Sequence, residues 1–331
     1  MLWVLAACNK DNEGLVPPVN PVNKIETLPA TIGADLTLNS NTDYIINGQV
    51  YVKNNATLTI PAGITVSVSK NEARTNKSVL IITKGSKLII NGTRDKPVIF
   101  TSAATAKASG DWGGIMLLGK APINVPAGKE NLAGLPVSTD TEYGGSMPND
   151  NSGSINFLRM EYCGGINHEN EDEWALDKAS GLVLAAVGSG TKLDNIMVEH
   201  SRDDAFQFVG GTVNATHLIG FNNGDDDFDF DHGYTGKLQF LISYRSQLTS
   251  THAIRANGME SYNDEVPTTN PPLTKPIISN MTIIGPQGSE AFKTDLNQGV
   301  YIRKGTRFIM QNSIIAEYPQ GALKLCRPAS A

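Results

Sequence analysis

Aspartate residues near the middle of the chain recur at a spacing that would bring their side chains together. The segment 203–208 (Asp-Asp-Ala-Phe-Gln-Phe) returns almost unchanged as 225–230 (Asp-Asp-Asp-Phe-Asp-Phe), at an offset of 22 residues. A repeat of this length is typical of one coil of a solenoid, in which successive repeats stack on each other. The stacking would place each aspartate of the first segment beside its counterpart in the second, as a ladder of carboxylates on one flank.

Calcium binding is the first chemistry that such a ladder would support. Crowded carboxylates raise one another's pKa or recruit a cation, and Ca²⁺ takes roughly six to eight oxygen ligands from carboxylates, carbonyls and water. The predicted metal ligands are Asp203, Asp204, Asp225, Asp226 and Asp227. In the alternative interpretation these side chains cap the N–H groups of turns, and Arg202, Arg245 or Arg255 neutralises their charge.

Short β-rich runs are the elements that must position these residues. From about Ala34 onward, runs such as 49–53 and 64–68 alternate apolar and polar residues and are separated by turns rich in Gly, Asn and Asp. Several strands per coil and a period near 22 residues predict an all-β fold, a parallel β-helix, over residues 34–325.

Inward-facing side chains of successive coils would stack into columns. The predicted column contains Phe206 over Phe228 and Phe208 over Phe230, with Leu182 and Leu184 on one side and Ile254 and Ala256 on the other. The residues between these inward positions would face outward. We therefore expect Gln207, Asp229 and Arg255 to contact a ligand.

Three insertions interrupt the predicted coils, at residues 120–154, 258–276 and 164–178. Loops of this length in a compact domain are usually functional. All three would hang off the solenoid and wall a groove. Trp174 in the third insertion would stack on a sugar, or it would anchor the loop by packing on the solenoid.

The longest motifs of the chain resemble those of a family of bacterial envelope proteins. They are 111–124 (DWGGIMLLGKAPIN), 162–165 (YCGG), 187–191 (VGSGT), 203–206 (DDAF), 210–213 (GGTV) and 225–231 (DDDFDFD). They look like cell-envelope lipoproteins of Bacteroidota with a pectin-lyase-like β-helix, to which leptospiral outer-membrane lipoproteins are related. The resemblance covers about residues 40–320 and implies a right-handed parallel β-helix and an envelope location, without an established activity.

Catalysis on a polysaccharide is the second chemistry that the acidic residues would support. An inverting hydrolase needs two carboxylates about 6.5–9.5 Å apart, whereas adjacent coils lie closer, at about 4.8 Å. A diagonal pair such as Asp204 and Asp229 fits better, and His232 lies in the Asp-His-Gly turn that follows. Lyases on this kind of fold use calcium with a basic residue, for which Arg255 beside Asp229 is the candidate.

The N-terminus has the features of a lipid anchor. Residues 1–8 resemble the end of a secretory signal, and Leu5-Ala6-Ala7-Cys8 matches a lipobox, in which the cysteine is lipidated. Residues 9–33 are polar and Pro-rich and read as a flexible tether, and residues 10–13 resemble the acidic export signal of surface lipoproteins. Residues 326–331 are expected to be a truncated end, because the last coil lacks a polar cap.

Charge and hydropathy exclude other classes of partner. The net charge is −6, and no basic stripe supports nucleic-acid binding. No apolar run approaches the roughly 20 residues that a membrane span needs. The sequence therefore predicts a surface-exposed, lipid-anchored outer-membrane protein with a non-catalytic β-helix that binds a glycan or another surface ligand. The alternative is a polysaccharide lyase or an inverting glycoside hydrolase that uses the acidic residues at 203–231.

Overall fold

The structure is a computed structural model that describes residues 24–70, 77–164, 180–246, 256–264, 269–286 and 298–326. The regular elements in these ranges are β-strands. In chain order they are β1 (Lys24–Thr27), β2 (Thr31–Ile32), β3 (Leu36–Thr37), β4 (Thr42–Ile46), β5 (Gln49–Val52), β6 (Thr57–Pro61), β7 (Thr65–Val68), β8 (Val79–Ile82), β9 (Lys87–Asn91), β10 (Val98–Ser102), β11 (Ile115–Leu118), β12 (Glu130–Asn131), β13 (Glu142–Tyr143), β14 (Gly153–Glu161), β15 (Leu182–Ala185), β16 (Lys192–Glu199), β17 (Phe206–Val209), β18 (Asn214–Phe221), β19 (Phe228–Asp231), β20 (Lys237–Tyr244), β21 (Met259–Ser261), β22 (Ile277–Ile284), β23 (Val300–Ile302), β24 (Ile309–Gln311), β25 (Ile314–Ala316) and β26 (Leu323–Leu325).

These strands stack in parallel columns along one axis. One column is a ten-stranded sheet in the order β2-β5-β8-β11-β15-β17-β19-β21-β23-β26. The other two columns belong to one fourteen-stranded sheet, because β14, β16, β18, β20 and β22 run through both. The small hairpin of β12 and β13 is antiparallel and lies outside both sheets. The predicted right-handed parallel β-helix is confirmed.

Each long strand of the fourteen-stranded sheet bends at one residue with positive φ. The bend residues are Phe157, Asn195, His217, Phe240 and Asn280, with φ between 50° and 61°. The register skips each of them, since pairing resumes on the next residue. A left-handed residue of this kind turns the strand from one column into the next.

The predicted aromatic columns are present inside the solenoid. The ring centroids of Phe206 and Phe228 lie 5.2 Å apart, and those of Phe208 and Phe230 lie 4.9 Å apart. Leu182 and Leu184 of β15 pair with the two phenylalanines of β17, as expected. All of these side chains are buried in the main hydrophobic core.

The continuation of this column on the other side was predicted wrongly. Met259 and Ser261 of β21 pair with Phe228 and Phe230, in place of Ala256 and of Ile254, which lies outside the described residues. The coil between β19 and β21 is longer than the 22-residue repeat, and solenoid coils vary in length at their turns. The strand β21 therefore falls inside the stretch 258–276, which had been predicted to be a loop.

The solenoid also begins earlier than expected. Strand β1 pairs with β4 and β2 pairs with β5, so residues 24–33 belong to the first coil and not to the tether. Residues 1–23 lie outside the described residues, as do 327–331. The last strand, β26, ends at Leu325. In the described ranges, no helix has the length and hydropathy needed to cross a membrane.

The insertion at 120–154 packs on the outer face of the ten-stranded sheet. Ile123, Leu132, Leu135 and Tyr143 of the insertion form a second hydrophobic cluster with outward side chains of the sheet. The outward side chains in this cluster are Val79, Ile81, Met116, Leu118, Val183, Ala185 and Val209. The insertion therefore covers this face of the solenoid, and the acidic residues lie further along the same face.

Candidate functional site

One outward row of the ten-stranded sheet changes from apolar to acidic along the axis. Met116, Val183, Gln207, Asp229 and Glu260 follow one another in register on β11, β15, β17, β19 and β21. The repeat predicted that Gln207 lies beside Asp229. On its other side, Asp229 has Glu260 as its neighbour, where the sequence had suggested a basic residue.

The assignment of Arg255 to that position is thus corrected. The offset between paired residues is 22 from β17 to β19 but 31 from β19 to β21, because the intervening coil is longer. The sequence placed Arg255 there at an offset of 26 residues, which underestimated the length of this coil. Arg255 itself lies outside the described residues, as do Trp174 and Cys8.

Two groups of carboxylates are close enough for each to hold one cation. The first contains Asp203, Asp204 and Asp225, and the second contains Asp226, Asp229 and Glu260. Within each group, one ligand oxygen per residue lies within 4.8 Å of the others. Four of the five predicted metal ligands therefore lie in these groups, three in the first and Asp226 in the second, and Asp229 and Glu260 complete the second.

Asp229 is the member of these groups whose environment most needs a partner. The residue is 4% exposed, and its Oδ1 has no hydrogen-bond partner among the described residues. Burial, followed by the neighbouring carboxylates of Asp231, Glu260 and Asp226, raises the pKa of Asp229 well above its usual value. A buried and unpaired carboxylate oxygen costs free energy, and a bound cation would remove that cost.

Asp204 and Asp226 also support the alternative interpretation of turn capping. Asp204 Oδ1 accepts a hydrogen bond of 3.0 Å from the backbone N–H of Asp226. Asp226 Oδ1 accepts hydrogen bonds from the backbone N–H and the side-chain amide of Asn257, at 2.6 and 2.9 Å. Each aspartate thus orders a turn with one oxygen. Burial is the main reason why the pKa of each of the two carboxyls is raised well above its usual value.

Asp227 faces the inside of the solenoid and belongs to neither group. Its carboxylate accepts hydrogen bonds from Ser243 Oγ at 2.5 Å and Asn223 Nδ2 at 2.8 Å, and it lies 3.5 Å from Arg245 Nε. A Cβ on Gly220 would approach the Cβ of Asp227 to 2.7 Å, so the neighbouring strand has glycine there. The structure therefore separates Asp227 from the four aspartates with which the sequence had grouped it.

Arg303, which is not among the predicted site residues, contacts the second acidic group. The guanidinium of Arg303 forms a two-point contact with Glu260, at 2.6 Å from Nε to Oε1 and 2.9 Å from Nη2 to Oε2. It also lies over the ring of Tyr262, 4.7 Å from its centroid. Because Glu260 and Arg303 lie on different coils, only the register reveals their contact.

His232 lies beside the acidic groups without belonging to them. Its Nδ1 is 3.0 Å from Asp231 Oδ1, and its Nε2 is 3.7 Å from Glu130 Oε2 on the hairpin. Burial opposes the charged imidazolium, but the carboxylates of Asp231, Glu130 and Asp264 outweigh it and raise the pKa of His232 to about 9. This histidine links the hairpin to the solenoid by charge, whereas a catalytic acid or base would titrate nearer neutrality.

A cleft adjoins the acidic row between the hairpin and the ten-stranded sheet. We call it the hairpin cleft; its volume is about 320 Å³. Gln207 lines the cleft, and its Oε1 accepts a hydrogen bond of 3.1 Å from Ser180. The insertion at 120–154 and the stretch 258–276 thus both contribute residues to this cleft, whereas residues 165–178 of the third predicted wall lie outside the described residues.

Comparison with known proteins gives one match. A family model described as a pectate-lyase like beta helix domain matches residues 30–325 of the chain. No curated protein and no solved structure matches it.

Proposed function

This chain belongs to the family of pectate-lyase like β-helix domains, and from that premise we propose that it is a non-catalytic binding module of the cell envelope. Its acidic outer face would bind Ca²⁺ and, with the ion and the neighbouring side chains, a glycan. One observation carries the proposal. Asp229 lies in one group with Asp226 and Glu260, and its buried Oδ1 has no hydrogen-bond partner among the described residues.

The donor set of the second acidic group fits calcium. Carboxylate oxygens are the ligands of hard cations such as Ca²⁺. Two oxygens that are each about 2.3–2.6 Å from one ion lie at most about 4.6–5.2 Å apart, and the oxygens of this group lie within 4.8 Å of one another. The contact between Arg303 and Glu260 does not prevent this, because an ionised carboxylate has about four lone-pair sites.

The glycan part of the proposal follows from what surrounds the ion. Three carboxylates leave several positions of a calcium ion open, and the hydroxyl oxygens of a sugar would fill them. Gln207 is the register neighbour of Asp229 and supplies an amide beside the ion. We therefore expect glycan binding to need both calcium and this amide.

The proposed location is the outer membrane, with the module facing the cell surface and attached through a lipid on Cys8. The lipobox match at residues 5–8 and the polar tether after it support this location. Incorporation of labelled palmitate should occur in the parent chain and be lost in Cys8→Ala. Equal labelling of both proteins would contradict the lipid anchor.

Thermal unfolding of the purified chain tests the calcium site. We expect the melting temperature to rise with millimolar Ca²⁺ relative to EDTA, and to respond less to Mg²⁺. Asp229→Asn should lose the calcium response while melting no lower than the parent in EDTA, because it removes a buried carboxylate that is crowded by Asp231, Glu260 and Asp226. Asp225/Asp226→Asn should also lose the response.

Asp194→Asn is the matched control for these variants. Asp194 lies on the fourteen-stranded sheet, where its side chain is 44% exposed and contacts His217, so the calcium response should be kept. If the parent chain shows no response to calcium, the metal site is absent and the aspartates are turn caps. Glycan binding by Gln207→Ala, measured with and without calcium, then tests the second half of the proposal.

The contact of Arg303 with the acidic group favours a second candidate, a polysaccharide lyase. In such an enzyme the bound calcium would neutralise a uronate and a basic residue would remove a proton. A lyase incubated with uronic-acid polymers and calcium would generate unsaturated ends, which absorb in the ultraviolet. For this chain we expect no such ends to form. Unsaturated products that disappear in Arg303→Gln would replace the non-catalytic proposal with the lyase.

A further inference from the structure

The hairpin cleft has an apolar floor that the calcium proposal leaves without a role. Met116, Val183 and Val209 of the ten-stranded sheet line it from below, and Leu132 and Ala133 of the insertion line it from the side. Small-molecule sites in proteins are clefts of about 300–1,000 Å³ with a mainly apolar lining and a few convergent polar groups. At about 320 Å³, this cleft has room for one small organic group.

The polar groups of the cleft are mainly carboxylates. Glu130, Asp231 and Asp264 line it, and His232 is the one basic residue among its described lining residues. Three carboxylates against one imidazolium leave a net negative charge among the described lining residues. The hydroxyl groups of two tyrosines point to these acids, since Tyr143 donates to Glu130 at 2.9 Å and Tyr262 donates to Asp231 at 3.0 Å.

One carboxylate oxygen in the cleft is buried without a hydrogen bond. Asp231 is 1% exposed, and its Oδ1 has no hydrogen-bond partner among the described residues. This Oδ1 forms an ion pair with Nδ1 of His232 at 3.0 Å, and neither atom has a further hydrogen-bond partner among the described residues. An N–H donor from a ligand would satisfy the oxygen.

From the charge and the shape together, we propose that the hairpin cleft binds a small organic ammonium ion. Its carbon skeleton would lie on the floor formed by Met116, Val183 and Val209. Its ammonium group would face Glu130, Asp231 and Asp264. A negatively charged cavity selects cations. The apolar floor selects an organic cation over a bare metal ion, which needs oxygen ligands on several sides.

Two sources share this chemistry, a free amino sugar and an aliphatic amine. The first would deepen the proposed glycan function by restricting it to glycans with unacetylated amino groups, and in that respect the inference rests on the proposed function. The second would be a separate activity. The probes that distinguish them are glucosamine, N-acetylglucosamine and n-butylamine.

Calorimetric titration of the full chain with these probes tests the proposal. We expect glucosamine or n-butylamine to bind, and N-acetylglucosamine to bind at least tenfold more weakly because it lacks the charge. Binding should persist in EDTA, since the cleft carboxylates do not belong to the second acidic group. It should therefore survive even if the calcium proposal fails.

The hairpin supplies a matched pair of variants. Glu130→Gln removes a carboxylate that lines the cleft, and we expect ammonium binding to weaken about tenfold or more. Glu142→Gln removes a carboxylate of the same hairpin that contacts Lys84 and Lys129 outside the cleft, and it should leave binding unchanged. Both residues are partly exposed, so neither substitution should unfold the chain.

A third variant tests the place of the skeleton. Ala133→Trp would fill the cleft from the insertion and should abolish binding of every probe. Four results would overturn the proposal: no binding of either amine, equal binding of glucosamine and its acetylated form, equal weakening by the two glutamate variants, or displacement of the amine by micromolar calcium, which would make the cleft a metal site.

Discussion

The two outer faces of this solenoid carry similar side chains but have different surroundings. The outer face of the ten-stranded sheet is covered by the insertion at 120–154, and Leu118 and Val183 there are buried. The outer face of the fourteen-stranded sheet is open, and Phe240, Ile242 and Tyr244 are 44%, 42% and 41% exposed. Alternation along a strand separates inward from outward positions, but only the insertions decide which outward positions become a second core.

On the open face, aromatic rings stack on one another along the axis, which partly offsets the lack of a covering insertion. The His217 and Phe240 rings lie 5.0 Å apart, and the Phe221 and Tyr244 rings lie 5.7 Å apart. A groove of about 570 Å³ runs beside the bend residues of this face. Exposed apolar surface is concentrated in such a groove. Large exposed apolar patches mark interaction surfaces.

The largest expected difference between the two faces is in the loss of stability caused by one charged substitution on each face. Leu118→Asp would bury a carboxylate under the insertion without a partner, and we expect it to lower the free energy of unfolding by roughly 3–5 kcal/mol. Ile242→Asp on the open face stays in water and should cost about 1 kcal/mol or less. Denaturant unfolding measures the loss of stability in each variant. Equal losses in the two variants would show that the insertion does not shield the face that it covers.

The next effect concerns the charge that ties the hairpin to the covered face. The pKa of His232 is raised from its usual value near 6.5 to about 9, so the folded state binds the proton more tightly than the unfolded chain. This stabilisation is complete below about pH 6.5 and is lost as the pH rises through about 9. Its size is roughly 3 kcal/mol at most.

Urea unfolding at a series of pH values measures that contribution. His232→Gln should flatten the fall in unfolding free energy between about pH 6.5 and 9. His217→Gln, on the open face, is the control, because the side chain is 51% exposed and its contact with Asp194 is accessible to water. A slope that persists in His232→Gln would assign the pH dependence to other groups.

The smallest expected effect lies at a bend of the open face. Phe240 has a φ of 61°, which costs a residue other than Gly or Asn roughly 1 kcal/mol. Phe240→Asn would relieve this cost while it loses the stacking on His217, so we expect a change within about 0.5–1 kcal/mol of zero. A loss of several kcal/mol in thermal unfolding would instead show that the ring stack holds the open face together.

The sequence predicted the structural features that repeat from coil to coil, because a repeated spacing of residue types is visible in the sequence itself. The two segments 203–208 and 225–230 each carry phenylalanine at the same two positions. Phe206 stacks on Phe228 and Phe208 stacks on Phe230, as expected. The prediction failed where a coil changes length. The place of Glu260 beside Asp229 depends on a 31-residue coil, and turn residues do not show how many of them a coil will use.

The direction of a side chain in a turn was also unpredictable. Asp226 and Asp227 are consecutive, yet one belongs to the outer acidic group and the other contacts Arg245 inside the solenoid. Both precede β19, where strand alternation does not yet apply. The covering role of the insertion was hidden for another reason, since its apolar anchors Leu132, Leu135 and Tyr143 are widely spaced in a segment rich in Gly and Pro.

The repeated bend has a consequence for how such a chain changes length over generations. Every long strand from β14 to β22 carries its left-handed residue at the same register position. A duplication that starts at one bend and ends at the next would insert a complete coil and leave the direction of all other strands unaltered. The echo of segment 203–208 in segment 225–230 is the pattern that such an event would leave.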